Sequence, residues 1–156
     1  QIPWFSATAY AAWFADRSGL PWRLPHDLEW EKAARGVDGR CYPWGDAGEL
    51  SFANLYGSRD GPPGVTDVGA FPDDVSVYGV RGMGGNVRDG CASAFQKGRT
   101  APDRVARTVP DQATHRMVRG GSWSSTPRMA RSAIRYADPP DRTYTVVGFR
   151  LVRSLA

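Results

Sequence analysis

The feature that most constrains the fold of this chain is the change of pattern at Gly36. Before Gly36, apolar residues recur at helical spacing; after it, short apolar pieces alternate with Gly, Pro, Asp and Asn. With 18 glycines and 12 prolines in 156 residues, long helices are not expected in this second part. The order of patterns predicts two helices followed by a loop-rich region with short antiparallel strands, an α+β fold in one domain over residues 1–156.

Two segments carry the signals of helices. The first helix is predicted at residues 6–17. Ser6 or Thr8 is its expected N-cap, and Gly19 is expected at its C-terminal end. The second helix is expected in the stretch "LPHDLEWEKAARG", with Pro25 near the first helical position, acidic residues in the first turn and Gly36 as the stop.

The strand signals are weaker. Apolar residues in short or alternating runs predict strands at residues 66–70, 117–120 and 146–153. Residues 105–115 have no periodicity and are predicted to form an exposed loop.

Composition and motif content exclude several functional classes. The net charge is +4, but the arginines are dispersed, so no nucleic-acid partner is expected. No apolar run approaches the roughly 20 residues that cross a bilayer, so no membrane span is expected. Cys41 and Cys91 form neither a CxxC pair nor a disulfide framework. The sequence contains no Walker loop, HExxH motif or Ser/His/Asp set.

A series of motifs in one order covers residues 4–153 and resembles the formylglycine-generating enzyme-like (sulfatase-modifying factor) domains. These motifs are "RLPHDLEWEKAARG", "YPWGD", "ANLYGSRDG", "TDVGAFPDD", "GMGGNVRDG", "RMVRGGSW" and "GFRLVR". The resemblance implies a variant of the C-type lectin fold. The N-terminal strands usual in the family have no counterpart before Gln1, so they are expected on another piece of chain or to be lacking.

The resemblance also provides a test for oxidase chemistry. The formylglycine-generating oxidases bind copper through two cysteines just after a GGS motif, because thiolates are soft ligands for Cu(I). Here Ser125 and Ala130 occupy those places, so neither copper nor catalysis of that kind is expected. The related sulfoxide synthases bind iron through several histidines, but this chain has only His26 and His115, and iron is not expected either.

Calcium is the one metal that the resemblance favours, as a structural ion. In the formylglycine-generating enzymes an Asn, the next carbonyl, an Asp and a nearby carbonyl hold a calcium ion. The matching places in "ANLYGSRDGPP" are the side chains of Asn54 and Asp60 and the carbonyls of Leu55 and Pro62. The same Asn and Asp are also compatible with simple side-chain-stabilised turns.

The C-terminal part combines motifs typical of the family with a segment that has no regular hydrophobic pattern. Between "GGSW" at residues 120–123 and "GFR" at 148–150, Pro and Arg anchors alternate with Ser, Thr, Tyr, Ile, Ala and Asp in no hydrophobic period. This pattern resembles the variable proteins of diversity-generating retroelements, in which mutagenic reverse transcription of adenines rewrites part of a lectin-type domain. Ser, Thr, Tyr, Ile, Asp, Ala and Arg are all reachable from an AAC codon, whereas Met129 is not.

Residues 117–151 are therefore the expected variable, ligand-binding region. Its anchors are expected to hold the backbone, with Trp123 and Phe149 as buried aromatic residues. The side chains that can be substituted without loss of folding are expected to project outward. The candidate ligand-binding residues are Ser124, Ser125, Thr126, Arg128, Met129, Ile134, Tyr136, Ala137, Asp138, Thr143, Tyr144 and Thr145.

The leading hypothesis is thus a non-enzymatic recognition domain whose partner is an unidentified protein or other surface ligand. Two alternatives remain open. One is a metal-dependent oxidase or sulfoxide synthase with ligands supplied from another part of the protein. The other is a catalytically inactive regulatory domain of the same family. An ordinary polar loop would also give the observed composition of residues 117–151.

Overall fold

The computed structural model describes residues 1–95 and 115–154. Its helices are α1 (Trp4–Ser18) and α2 (Asp27–Arg35), with short 3-10 helices at Leu50–Phe52 and Pro127–Ala130. The strands are β1 (Trp22–Arg23), β2 (Arg88–Ala94), β3 (Arg116–Arg119), β4 (Arg135–Asp138), β5 (Val147–Gly148) and β6 (Val152–Arg153). The expected α+β fold, with two helices and short strands, is confirmed.

Both predicted helices form, with small differences at their N-termini. Helix α1 starts at Trp4, after Pro3, so Ser6 and Thr8 lie inside the helix rather than at its cap. Gly19 ends α1 in a left-handed conformation, as predicted. Pro25 lies just outside α2.

The N-terminus of α2 is organised by its own side chains. His26 is the N-cap residue, and its backbone N–H donates to the Glu29 carboxylate at 2.8 Å. This is half of the reciprocal capping arrangement that terminates many helices. Burial would raise the pKa of Glu29, but the stronger hydrogen bond from Arg23 lowers it, so the carboxylate stays charged at the positive end of the helix dipole.

The strands form two sheets. The four-stranded sheet has the order β4-β3-β2-β5; its first three strands are antiparallel, and β5 pairs with β2 in parallel. β1 and β6 form a separate antiparallel pair. The parallel contact brings the C-terminal segment back beside Arg88 and Asp89, so that β5 forms the edge of the sheet opposite β4.

The strand predictions were partly wrong. Residues 117–120 correspond to β3, but residues 66–70 contain turns and no strand. The predicted strand at 146–153 is divided between β5 and β6, which belong to different sheets. Strand β2 was missed because its Asp and Gly residues are buried by tertiary contacts rather than by an alternating apolar pattern. The loop expected at residues 105–115 lies outside the described residues, except for His115.

Helix α2 packs on one face of the four-stranded sheet and encloses the main core. This core consists of Trp30, Ala34, Met83, Cys91 and Met117. A second buried cluster, Tyr42, Ala53, Leu55 and Ala130, lies under the loops. None of the helices in the described ranges is long and apolar enough to cross a membrane.

Candidate functional site

Two glycines position the segment that contains the predicted ligand-binding residues. Gly120 has a φ of 82°, and a Cβ there would lie 2.8 Å from the carbonyl oxygen of Met83. A Cβ on Gly121 would collide with the carbonyl of Gly84 and would lie 2.8 Å from the Cβ of Ala130. Only glycine permits this close approach, so the segment is fixed against the loop at residues 83–85.

A buried hydroxyl network then shapes the backbone after these glycines. The Oγ of Ser125 accepts hydrogen bonds from the backbone N–H of Ser122 at 3.0 Å and from the Arg88 guanidinium at 3.2 Å. The Ser122 and Ser125 hydroxyls are 3.1 Å apart. Ser125 is 0% exposed, so its predicted place on a ligand-binding surface is wrong. It supports the backbone, because a buried hydroxyl with these partners cannot reach a ligand.

The other predicted positions differ in their exposure. One group is exposed, and we call it the display surface: Ser124, Thr126, Arg128, Met129, Thr143 and Thr145. A second group is half-buried: Ile134, Tyr136, Ala137, Asp138 and Tyr144.

Hydrogen bonds connect the separate pieces of the display surface. The indole N–H of Trp123 donates to the carbonyl of Thr145 at 3.4 Å, which places residues 143–145 beside the start of the segment. The Tyr136 hydroxyl donates to the carbonyl of Met129 at 2.8 Å. Tyr136 therefore joins β4 to the display surface, and residues distant in sequence become neighbours.

The half-buried positions do not all face the same way. In the β3–β4 register, Tyr136 and Asp138 share a side of the sheet, whereas Ala137 pairs with the buried Met117 on the side of the core. Ala137 stays a predicted position, half-buried on the side of the sheet opposite to Tyr136.

Asp138 and Tyr144 line a small cavity next to Trp4 of α1. Burial raises the pKa of Asp138, although Arg88 and His115 oppose this. Both stay predicted ligand-binding positions, half-buried at this cavity.

The structure adds two residues that sequence reasoning missed. The Arg88 guanidinium carbon lies 4.0 Å from the centroid of the Tyr136 ring, while the same side chain supports Ser125. Tyr56 donates its backbone N–H to the carbonyl of Ser125 at 3.0 Å and is 62% exposed. The family motifs contain both residues, but their contacts with the variable segment arise only in three dimensions.

The expected anchors are only partly as predicted. Trp123 and Phe149 are half-buried, not fully buried. Arginine, in contrast, does fix the loops. Arg150 donates to the Asp89 carboxylate at 2.6 Å and to the carbonyl of Gly82 at 2.7 Å. The guanidinium thereby joins the C-terminal segment to the loop before β2.

The positions of the oxidase cysteines are inside the protein. Ser125 and Ala130 are both 0% exposed. Cys41 and Cys91 are free thiols, and burial raises the pKa of Cys91 well above its usual range, which keeps it protonated. Among the described residues, no cluster of three or more His, Cys, Asp or Glu side chains could hold a metal.

Calcium stays a prediction for the loop that contains Asn54, Leu55, Asp60 and Pro62. Asn54, Leu55 and Pro62 line one cleft, but Asp60, the only charged ligand, is exposed and is not among the lining residues. The carbonyl of Pro62 instead accepts a hydrogen bond from the Arg59 guanidinium at 2.9 Å. A positive group already occupies this acceptor, which is unfavourable for an adjacent divalent cation.

Comparison with known proteins identifies the family. The family profile described as "Sulfatase-modifying factor enzyme 1-like domain" matches residues 1–155. The chain is 34% identical to the inactive C-alpha-formylglycine-generating enzyme 2 of Bos taurus, over 96% of this chain and 48% of that protein. It is 35% identical to the hercynine oxygenase of Mycolicibacterium smegmatis, over 97% of this chain and 36% of that protein. The chain thus spans half or less of the length of these relatives.

Solved structures show the same relationship. The structure of PvdO from Pseudomonas aeruginosa superposes with a TM-score of 0.84 at 28% identity, over 99% of this chain and 60% of that one. Treponema denticola variable protein 1 has a TM-score of 0.66 at 27% identity, over 83% of this chain and 46% of that one. The profile match and the preserved fold together establish that the chain belongs to the sulfatase-modifying factor enzyme 1-like domain family.

Proposed function

We propose that this domain is a non-enzymatic recognition module that presents the display surface to a protein or other macromolecular ligand. The observation that carries the proposal is the separation of roles within residues 117–151. Glycine, arginine and buried serine hold the backbone, whereas Ser124, Thr126 and Arg128 project from it. A serine on a rigid support, such as Ser124, is well suited to adaptable hydrogen bonding, as in antibody loops.

The relatives support a binding role without assigning one. One of them is named as an inactive formylglycine-generating enzyme, so members of this family exist without that activity. Another has the same fold and is called a variable protein. We further propose that this chain is diversified by a retroelement, because its exposed segment contains residues reachable from AAC codons. Substitution at such positions is compatible with folding, since exposed side chains contribute little to stability.

Substitutions at two neighbouring serines test whether the display surface tolerates sequence changes without loss of stability. We expect Ser124→Val, at an exposed position, to change the free energy of unfolding by no more than about 0.5 kcal/mol. Ser125→Val should cost about 1–3 kcal/mol, because it leaves the Ser122 N–H and Arg88 without their acceptor. Urea denaturation of both variants measures the difference. Equal losses in the two variants would contradict the division between support and display surface.

The coding locus tests diversification separately. We expect an adenine-rich near-copy of the segment encoding residues 117–151 close to a reverse transcriptase gene. A native locus lacking both would remove diversification from the proposal and leave an ordinary recognition domain.

A metal-dependent oxygenase is the second candidate, favoured by the identity to hercynine oxygenase. In this case the metal ligands would come from a part of the protein outside this chain. Metal analysis and oxygen-consumption assays on the native protein distinguish the two candidates. Stoichiometric copper or iron with oxygen uptake would support the oxygenase and contradict the non-enzymatic role.

A further inference from the structure

A cleft of about 300 Å³ lies directly beside the display surface but is built from residues outside it. Tyr56 and Trp123 are its aromatic residues, and Pro62 and Pro63 contribute apolar rings. The backbone bond from Tyr56 to Ser125 fixes the cleft relative to the segment that carries Ser124. A ligand on the display surface would therefore lie within reach of the cleft.

Arg59 gives the cleft a positive charge. Its guanidinium is held by one hydrogen bond to the carbonyl of Pro62, which leaves further N–H donors of the five in the group available. The side chain is exposed, and within residues 1–95 and 115–154 no carboxylate lies at ion-pair distance from it.

Arg59 therefore differs from the six arginines of the described ranges that pair with carboxylates. These are Arg23, Arg35, Arg40, Arg119, Arg135 and Arg150. Arg128, on the display surface, has no such partner in the described ranges. Arg59 lies in one cleft with the exposed Tyr56 and the half-buried Trp123, and Arg, Tyr and Trp are the residue types enriched at the energetic centres of protein interfaces.

We infer that the cleft between Tyr56 and Trp123 is a docking site for an acidic segment of a protein partner. A carboxylate of the partner pairs with Arg59, and an adjacent apolar side chain packs between the two aromatic residues. The inference rests on the proposed recognition function and names the chemistry of its ligand. Because the charge is supplied by Arg59, binding needs no metal ion. Trp123 apart, the lining residues lie outside residues 117–151, so the cleft serves as a constant anchor beside a changeable surface.

The probe for this site is a fluorescein-labelled peptide of four glutamates around one phenylalanine, measured by fluorescence anisotropy. We expect saturable binding that weakens as NaCl rises from about 50 to about 500 mM, since screening reduces exposed charge pairs. Replacing the glutamates by glutamines should abolish binding, and replacing the phenylalanine by alanine should weaken it. The charge reversal Arg59→Glu should weaken binding by about tenfold or more. Tyr56→Ala should also weaken peptide binding, because it removes the ring. The backbone hydrogen bond to Ser125 is retained in this variant.

Arg17→Glu is the matched control, because Arg17 is an exposed arginine beside the exposed ring of Trp13 on α1. We expect it to leave binding unchanged, with a loss of stability of no more than about 1 kcal/mol because Arg17 lies in the last turn of α1. Equal binding by wild type and Arg59→Glu, loss of binding on addition of EDTA, or equally tight binding of oligothymidylate would each overturn the inference. So would the absence of binding. Ser124→Val changes the display surface and none of the residues that line the cleft, so failure of the docking site is distinguishable from failure of the recognition function.

Discussion

At the scale of single residues, the burial of polar groups determines which positions have a fixed role. Asp74 is 2% exposed, and its carboxylate accepts hydrogen bonds from the backbone N–H groups of Gly84 and Gly85 at 2.9–3.0 Å. Burial raises the pKa of Asp74 from 3.8 to about 6, against the lowering effect of these hydrogen bonds and of Arg150. The Asp74 side chain connects its own turn to the loop before β2. Burial of the charged carboxylate, however, is energetically unfavourable.

The raised pKa of Asp74 predicts that the free energy of unfolding depends on pH. Its pKa is higher in the folded than in the unfolded chain, so its stabilising contribution is present below about pH 4 and is lost as the pH rises through about 6. A pKa difference of this size corresponds to about 3 kcal/mol at most. In Asp74→Asn we expect a flatter dependence of the unfolding free energy on pH between about 4 and 6. Urea melts across this range measure it.

Asp73→Asn is the control for this prediction, since Asp73 is the exposed neighbour of Asp74. It should retain the wild-type pH dependence. If Asp74→Asn retained the wild-type slope as well, another group would be responsible.

At the scale of elements, charged contacts hold the short strands to the helices. Arg119 of β3 is 0% exposed and pairs with Asp27 and Glu31 of α2. It also donates to the carbonyl of Ile134 at 2.7 Å, just before β4. Burial would raise the pKa of Glu31, but Arg35, Arg119 and Arg135 together lower it. One guanidinium thus joins β3, the start of β4 and helix α2.

Removing this guanidinium should destabilise the whole sheet. We expect Arg119→Met to cost about 1–3 kcal/mol, because the carbonyl of Ile134 would lose its donor and Asp27 and Glu31 would each lose one cationic partner, although Arg35 and Arg135 remain beside them. Chemical denaturation measures the loss. Arg128→Met, at an exposed position on a 3-10 helix, should change stability by less than about 0.5 kcal/mol. A loss below about 1 kcal/mol for Arg119→Met would show that apolar packing alone holds β3 to α2.

At the scale of the whole molecule, the contacts between loops bear on the predicted calcium site. Asn54, Leu55 and Pro62 line one cleft, where Arg59 donates a hydrogen bond to the carbonyl of Pro62, and Asp60 is exposed outside that lining. The side-chain nitrogen of Asn54 donates to the carbonyl of Gly64 at 2.9 Å and to the side-chain oxygen of Asn86 at 3.0 Å, which connects this loop to two others. The loops are thus joined by direct hydrogen bonds.

We therefore expect the thermal midpoint of this domain to be independent of calcium. A ligand that binds only the folded state at 100 times its Kd adds about 2.7 kcal/mol, which is easily detected as a shift in Tm. Thermal melts in millimolar calcium and in EDTA should coincide. Magnesium in place of calcium controls for general salt effects. A rise in Tm specific to calcium would show that Asp60 and the nearby carbonyls rearrange into a metal site.

Much of the fold was predictable from the sequence, but less of the candidate site. The two helices and β3 follow from local patterns and stop signals. Strand β2 did not, because buried Asp89 is stabilised by Trp30 and Arg150, which lie far away in the sequence. Ser124 and Ser125 show the same limit at the site. They are chemically identical neighbours, yet only the first is exposed.

The sequence by itself determined the family, the helices and the general position of a polar C-terminal segment, because motif order, periodicity and glycine placement are local properties. The tertiary structure alone decided which side chains of that segment face the solvent, and that Arg88, Tyr56 and Arg59 lie beside it. The physical reason is that burial and charge pairing depend on contacts between distant parts of the chain. Such contacts leave no periodic signal in the sequence.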